Sequence, residues 1–180
     1  SAFGAEEAKK AEEKKESADP TEPVAIDLAG WESEDKKYTN PIEGVVVEED
    51  GKKQLKLTFK GGETDKAVFC KTVDKLKLPG KGILSFRVAN RSEDDFQVTV
   101  AFKTGKAYAF HESKRVKVKG SKEDIEIVEI DLTESTFKSE ATKWENNGAL
   151  TDAGQIKALQ LAVYNGKKDG TLIISRMEVA

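Results

Sequence analysis

Side chains able to do covalent chemistry are sparse in this chain of 180 residues, which holds one histidine, His111, and one cysteine, Cys70. No serine sits in a G-x-S-x-G elbow, so the common hydrolase nucleophile is missing. Cys70 closes the run Ala67-Val68-Phe69-Cys70, which reads as a strand, so its thiol is expected to be buried and structural. A lone cysteine makes no intramolecular disulfide, and with a single histidine it falls short of a zinc site, so no metal is assigned. Gly80-Lys81-Gly82 is a short turn between strands that opens no helix, so it cradles no phosphate, and no cofactor is called for. Carboxylates are the abundant group, with 33 Asp and Glu. Glu129 and Asp131 share a strand phase, and Asp94 and Asp95 lie in the polar turn 90–95, as a glycosidase-like pair would need. At this abundance such pairs arise by chance, so a polysaccharide-active enzyme ranks below the non-catalytic readings.

Aromatic rings in polar surroundings say more. Trp144 lies in the loop 139–152 among Lys143, Glu145, Asn146 and Asn147, and Tyr164 shares a strand face with Gln160 and Ala162. Trp31 stands at the end of the first strand, after Ala29-Gly30. Tyr38 closes the polar run that begins at Glu32, and Tyr108, Phe110 and His111 cluster at the end of a hairpin. A ring beside amides and charges suits a sugar, whose C–H face stacks while its hydroxyls find polar partners. A tryptophan at a sheet rim also caps a core. For Trp31 that structural role comes first, and for Trp144 and Tyr164 the two roles stand level.

The elements that must position these residues are strands. Leu55, Leu57 and Phe59 alternate with polar residues. So do Leu84, Phe86 and Val88; Phe96, Val98, Val100 and Phe102; Val116 and Val118; and Leu159, Leu161 and Val163. Alternation of period two means one face in a core and one in water, the antiparallel signature. Asp50-Gly51, Gly61-Gly62, Pro79-Gly80, Thr104-Gly105, Asn165-Gly166 and Asp169-Gly170 are turn chemistry between them. Ile125 and Ile127 are out of phase with Val128, Ile130 and Leu132, which predicts a bulge near Ile127-Val128. Leu172-Ile173-Ile174 is apolar on both faces, as a central strand would be. The fold expected is all-β, a two-sheet antiparallel β-sandwich or jelly roll spanning 24–180.

Residues 1–23 differ. They hold four lysines against seven acids and so carry the whole formal net charge of −3, leaving the rest neutral. Ala5 to Glu16 reads AEEAKKAEEKKE, good helix formers with no apolar face to dock, so this is expected to be a flexible tether that is partly helical or disordered. Its start, Ser1-Ala2-Phe3-Gly4-Ala5, fits either a signal-peptide remnant or a cloning remnant. A neutral body with only four arginines argues against nucleic acid as a partner. No apolar stretch approaches the ~20 residues of a membrane helix.

The arrangement resembles a known family. Ile26-Asp27-Leu28-Ala29-Gly30-Trp31 is similar to the opening of many galactose-binding-like jelly rolls. The strand ending Leu78 to Ala89, the hairpin Phe96 to Phe110, Glu129-Ile130-Asp131-Leu132, Ile156 to Tyr164 and Gly170 to Ile174 resemble its later strands. The likeness runs from Val24 to Ala180 and rests on pattern. It implies a non-catalytic carbohydrate-binding module of a secreted, periplasmic or cell-envelope protein, with a polysaccharide or glycan as ligand. It also implies a ligand face formed by Arg87, Gln97, Thr99, Gln160 and Tyr164, with loop aromatics nearby. The structural calcium common in such modules is left out, because Ser175-Arg176 stands where an acidic residue is expected and arginine ligates no calcium. The alternative is an assembly module that contacts another protein, supported by the tether and by the lysine-rich strand faces of Lys56, Lys60, Lys117 and Lys119.

Overall fold

In the computed structural model the described residues are 22–34, 37–73 and 82–180, so nearly all of the expected tether lies outside them. Every strand pairing is antiparallel, and no helix occurs among the described residues. One sheet runs, in spatial order, β10 (Glu126–Asp131), β6 (Ile83–Asn90), β12 (Gly170–Val179), β4 (Lys52–Phe59) and β3 (Ile42–Glu49), with β1 (Val24–Ala25) added to β12. The other runs β2 (Glu32–Ser33), β5 (Ala67–Thr72), β11 (Ile156–Tyr164), β7 (Phe96–Thr104) and β8 (Ala109–Glu112), with β9 (Val116–Val118) also on β7. We call them the β12 sheet and the β11 sheet after their central strands. The sandwich is the two-sheet jelly roll that the alternating sequence predicts.

The alternating apolar residues meet between the sheets. Leu55, Leu57, Phe59, Leu84, Phe86, Val88, Leu172 and Ile174 come from the β12 sheet, and Phe69, Phe96, Val98, Val100, Phe102, Leu159, Leu161 and Val163 from the β11 sheet. Phe59 and Phe96 pack edge-to-face across the layers with ring centroids 4.9 Å apart. Each such side chain contributes about 1.5–3 kcal/mol by leaving water, so the interlayer seam fixes which face of every strand looks outward.

Two details of register correct the sequence reading. β10 pairs with β6 from Glu126 to Asp131 without a shift, so there is no bulge at Ile127-Val128. Val128, Ile130 and Leu132 fill the core, while Ile125 and Ile127 point to solvent, 59% and 61% exposed. In this sheet the irregularity sits instead in β12, between Ser175 and Glu178, where Arg176 takes a φ of +48°. The extra residue lets both Ile174 and Met177 face inward, a spacing of three that strict alternation forbids.

Candidate functional site

Register places a definite set of side chains on the outer face of the β11 sheet. Gln160 lies opposite Ala101 on β7 and Cys70 on β5, and Ala101 lies opposite Glu112 on β8. One row along are Ala162, Thr99 and Val68; the next pairs Tyr164 with Gln97, and Gln97 with Lys117 of β9. In the other direction Lys103 lies opposite Phe110. The middle of the face is therefore built of small side chains, Ala101, Ala158, Ala162 and Thr99, with longer ones rising around them.

Glu112 is the centre of this face. It is 2% exposed, yet it is ionised and fully partnered. Thr99 Oγ1 donates to its Oε2 at 2.7 Å, and the Tyr164 hydroxyl donates to the same oxygen. Lys138 Nζ stands 3.5 Å and Lys66 Nζ 3.8 Å from Oε1. Burial pushes the carboxyl upward in pKa. The two hydroxyl donors and the two ammonium groups together outweigh it and hold Glu112 below the usual glutamate range. Burial, and then the bond to Glu112, push the Tyr164 phenol the other way, so it stays a neutral donor. The Tyr164 ring also carries the Arg115 guanidinium 3.7 Å from its centroid and Lys66 Nζ at 5.6 Å.

A loop brings the exposed aromatic to this network. Glu112 and Lys138 exchange both backbone hydrogen bonds at 2.9 Å, which seats the chain after Phe137 beside β8. Asn146 Nδ2 donates to the Thr136 carbonyl at 3.0 Å and closes the loop at its base. Within it, Ser139 N donates to Thr142 Oγ1 at 2.9 Å and Trp144 N to Ser139 O at 2.9 Å. Lys143 and Trp144 both take positive φ, +54° and +65°. Two successive non-glycine residues in the left-handed region cost on the order of 1–3 kcal/mol each, and the conformation leaves Trp144 55% exposed beside Phe110, ring centroids 6.2 Å apart. At the opposite end, a cavity of about 440 Å³ is lined by Asp65, Asp95, Arg115, Tyr164, Asn165 and Lys168, among others.

The other sequence-predicted residues fall in different places. Gln97 accepts from Arg115 Nη1 at 3.4 Å and Gln160 Nε2 donates to Glu34 at 3.2 Å, so both join the face. Arg87 does not: it lies on β6, in the other sheet, exposed on that sheet's outer side. Trp31 is 7% exposed and packs in the core, its indole N–H donating to the Asp27 carbonyl at 3.0 Å, which makes it a core cap. Tyr38 is 71% exposed with Lys37 Nζ 5.4 Å from its ring centroid, and among the described residues no contact ties it to the Glu112 network. Tyr164 belongs to the face, but its ring is taken by Arg115 and its hydroxyl by Glu112. His111 is buried on the core side; its Nδ1 donates to the Ala109 carbonyl at 3.0 Å, leaving Nε2 to accept from Thr151 N at 3.4 Å. Cys70 is half-buried on the outer face, and burial pushes its thiol up to about 12. Both oxygens of Glu112 are committed, so it offers no free general base. Asp131 spends one oxygen on the Thr133 amide and hydroxyl. No cluster of three metal-ligating side chains occurs among the described residues.

Sequence reasoning missed Glu112, Lys66, Lys138 and the stacking role of Arg115. The one usable signal was that Phe110 and Glu112 share a phase opposite the buried His111.

The architecture is a two-sheet jelly roll of the same fold as solved carbohydrate-binding modules. A family 11 carbohydrate-binding module from Clostridium thermocellum, in complex with a β-1,3-1,4-mixed-linked tetrasaccharide, aligns over 87% of this chain and 94% of its own with a TM-score of 0.60. The family 11 module of a cellulosomal cellulase from the same organism aligns over 88% and 94% with a TM-score of 0.62, and each of the two is 12% identical. An agarase aligns over 87% of this chain but 24% of its own, at a TM-score of 0.60 and 12% identity. At such identities the likeness is one of fold. No family model and no curated protein matches the sequence.

Proposed function

We propose that this domain is a non-catalytic carbohydrate-binding module that holds a glycan across the outer face of the β11 sheet. Trp144 carries the reading: a strained loop holds an exposed ring beside Phe110, at one end of a face whose floor is small and whose rim is polar. A sugar ring stacks on Trp144, and the chain crosses toward Gln160, Gln97 and Arg115, whose amide and guanidinium groups take its hydroxyls. The Glu112 network is the rigid floor beneath that path, because a ligand group is best oriented by side chains whose own partners are already fixed. A polysaccharide ligand would place the domain outside the cytoplasm.

Calorimetric titration with mixed-linked β-1,3-1,4-glucan, agarose oligosaccharides and xylan tests this. Saturable binding to at least one, lost in Trp144→Ala and kept in Arg87→Ala, is expected. Binding that survives Trp144→Ala moves the site off this face, and no binding to any glycan removes the proposal.

A further inference from the structure

The β12 sheet ends at β3, which is bonded to β4 on one side only. Their ladder runs from Ile42 opposite Phe59 to Glu49 opposite Lys52, eight pairs with no bulge. One bond sets its parity. Lys60 N donates to the Pro41 carbonyl at 3.0 Å, so position 41 faces β4. Hydrogen-bonded and non-bonded positions alternate in an antiparallel pair. Positions 43, 45, 47 and 49 therefore also face β4, and the N–H and C=O groups of Gly44, Val46 and Glu48 point to the open edge. None of these groups has a partner among the described residues.

The side chains match the open backbone. Val45, Val46 and Val47 are 60%, 40% and 44% exposed, and Val46 is open although its phase is that of the buried Leu55. Natural edge strands are commonly blunted by charged side chains, proline or a bulge; Ile42–Glu49 has neither proline nor bulge, and its charges stand outside the three central valines. Its charged residues are all acidic: Glu43, Glu48 and Glu49 flank the three valines. A second copy pairing about Val46 would set Glu43 of each chain opposite Glu49 of the other, and like charges directly opposite are destabilising. A strand with a β-branched centre and lysine or arginine at its ends meets both the valines and the glutamates.

We propose that β3 is a docking edge for an extended segment of another protein, apolar at its centre and basic at its ends, bound by strand addition. The site is separate from the glycan face and does not rest on it.

Fluorescence anisotropy with a labelled peptide Lys-Lys-Val-Ile-Val-Thr-Lys as the probe tests it on the full chain. Saturable binding is expected, weakened by salt and at least tenfold tighter than for the same peptide with glutamate in place of lysine. Val46→Pro removes an edge-facing N–H without touching the bonds to β4, and abolishes binding. If that variant does not fold, Glu43→Lys with Glu48→Lys is the second arm, and it reverses the preference between the two peptides. Absence of saturable binding overturns the proposal, as does equal binding of both peptides, or binding unchanged in whichever variant folds. Concentration-dependent dimerisation that Val46→Pro abolishes also overturns it, by giving the edge to a second copy.

Discussion

The outer faces of the two sheets are built from similar residue types and put to opposite use. On the β11 sheet, Glu112 is buried and tied to two hydroxyls and two ammonium groups, and the flanking Arg115 lies on Tyr164. On the β12 sheet, Arg87 and Arg176 are exposed beside Ile125, along a broad cleft of about 690 Å³, with no ion pair among the described residues. Charge density alone therefore does not mark a site in a chain this rich in charges. Charges that have been desolvated and then fully satisfied mark a rigid point of the fold, because that arrangement costs free energy unless every partner is in place.

The largest test of this contrast is Glu112→Gln. It keeps the volume but leaves Lys66 and Lys138 facing a neutral amide. Both lysines remain about a quarter exposed, which softens the penalty. A loss of about 2–3 kcal/mol in urea unfolding is expected, below the range for a fully buried pair. The acid limb supplies the sign. Folded Glu112 titrates below an unfolded glutamate, so the network's contribution is complete above the unfolded value, about 4.3, and is lost as pH falls through the lower folded value. The stability gap between wild type and Glu112→Gln should thus close as pH drops below ~4. A gap independent of pH would show that the cost is packing and not charge.

What was legible in the sequence follows the same division. Alternation of Leu55, Leu57 and Phe59, or of Phe96 through Phe102, states which residues face a core, because the side-chain period of a strand is two. It does not state which sheet a strand joins, and the family resemblance puts Arg87 with Gln97 and Tyr164 although β6 and β7 lie in opposite layers. Ile125 and Ile127 suggested a bulge because apolar residues were assumed to be buried, when they stand in solvent on a regular strand. The bulge of that sheet, at Arg176, is hidden in the sequence by a polar residue in an apolar run. Glu112 was illegible for a different reason. Its four partners come from β7, β11, the residue just before β5 and the loop after Phe137, and nothing in their local sequence joins them.

The second test separates binding from stability. Trp144→Ala should weaken glycan binding about tenfold, or ~1.4 kcal/mol, while leaving the unfolding midpoint nearly unchanged, since the ring is more than half exposed. Tyr164→Phe should do the reverse. It deletes the hydroxyl that donates to Glu112 and costs about 1 kcal/mol of stability, while the ring that supports Arg115 remains. If Tyr164→Phe instead abolishes binding at unchanged stability, the network is a contact surface and not a floor.

The smallest expected effect is the most discriminating about the β12 sheet. Arg87→Ala removes an exposed guanidinium that has no hydrogen bond or ion pair among the described residues, so its cost in urea unfolding should lie within about 0.5 kcal/mol, as for surface substitutions away from special features. Arg87 and Arg176 together border two cavities on that face, the larger of which reaches Asp27, Lys53 and Ile125. Their neighbours Glu178 and Glu129 supply opposite charge nearby, and no ion pair closes there among the described residues. A neutral result in stability and in glycan binding would confine sugar recognition to the β11 sheet. A loss of glycan affinity from Arg87→Ala, with Trp144→Ala neutral, would invert the comparison: free charges would then mark the site, and the satisfied network around Glu112 would be a device for holding the sheet's outer face rigid.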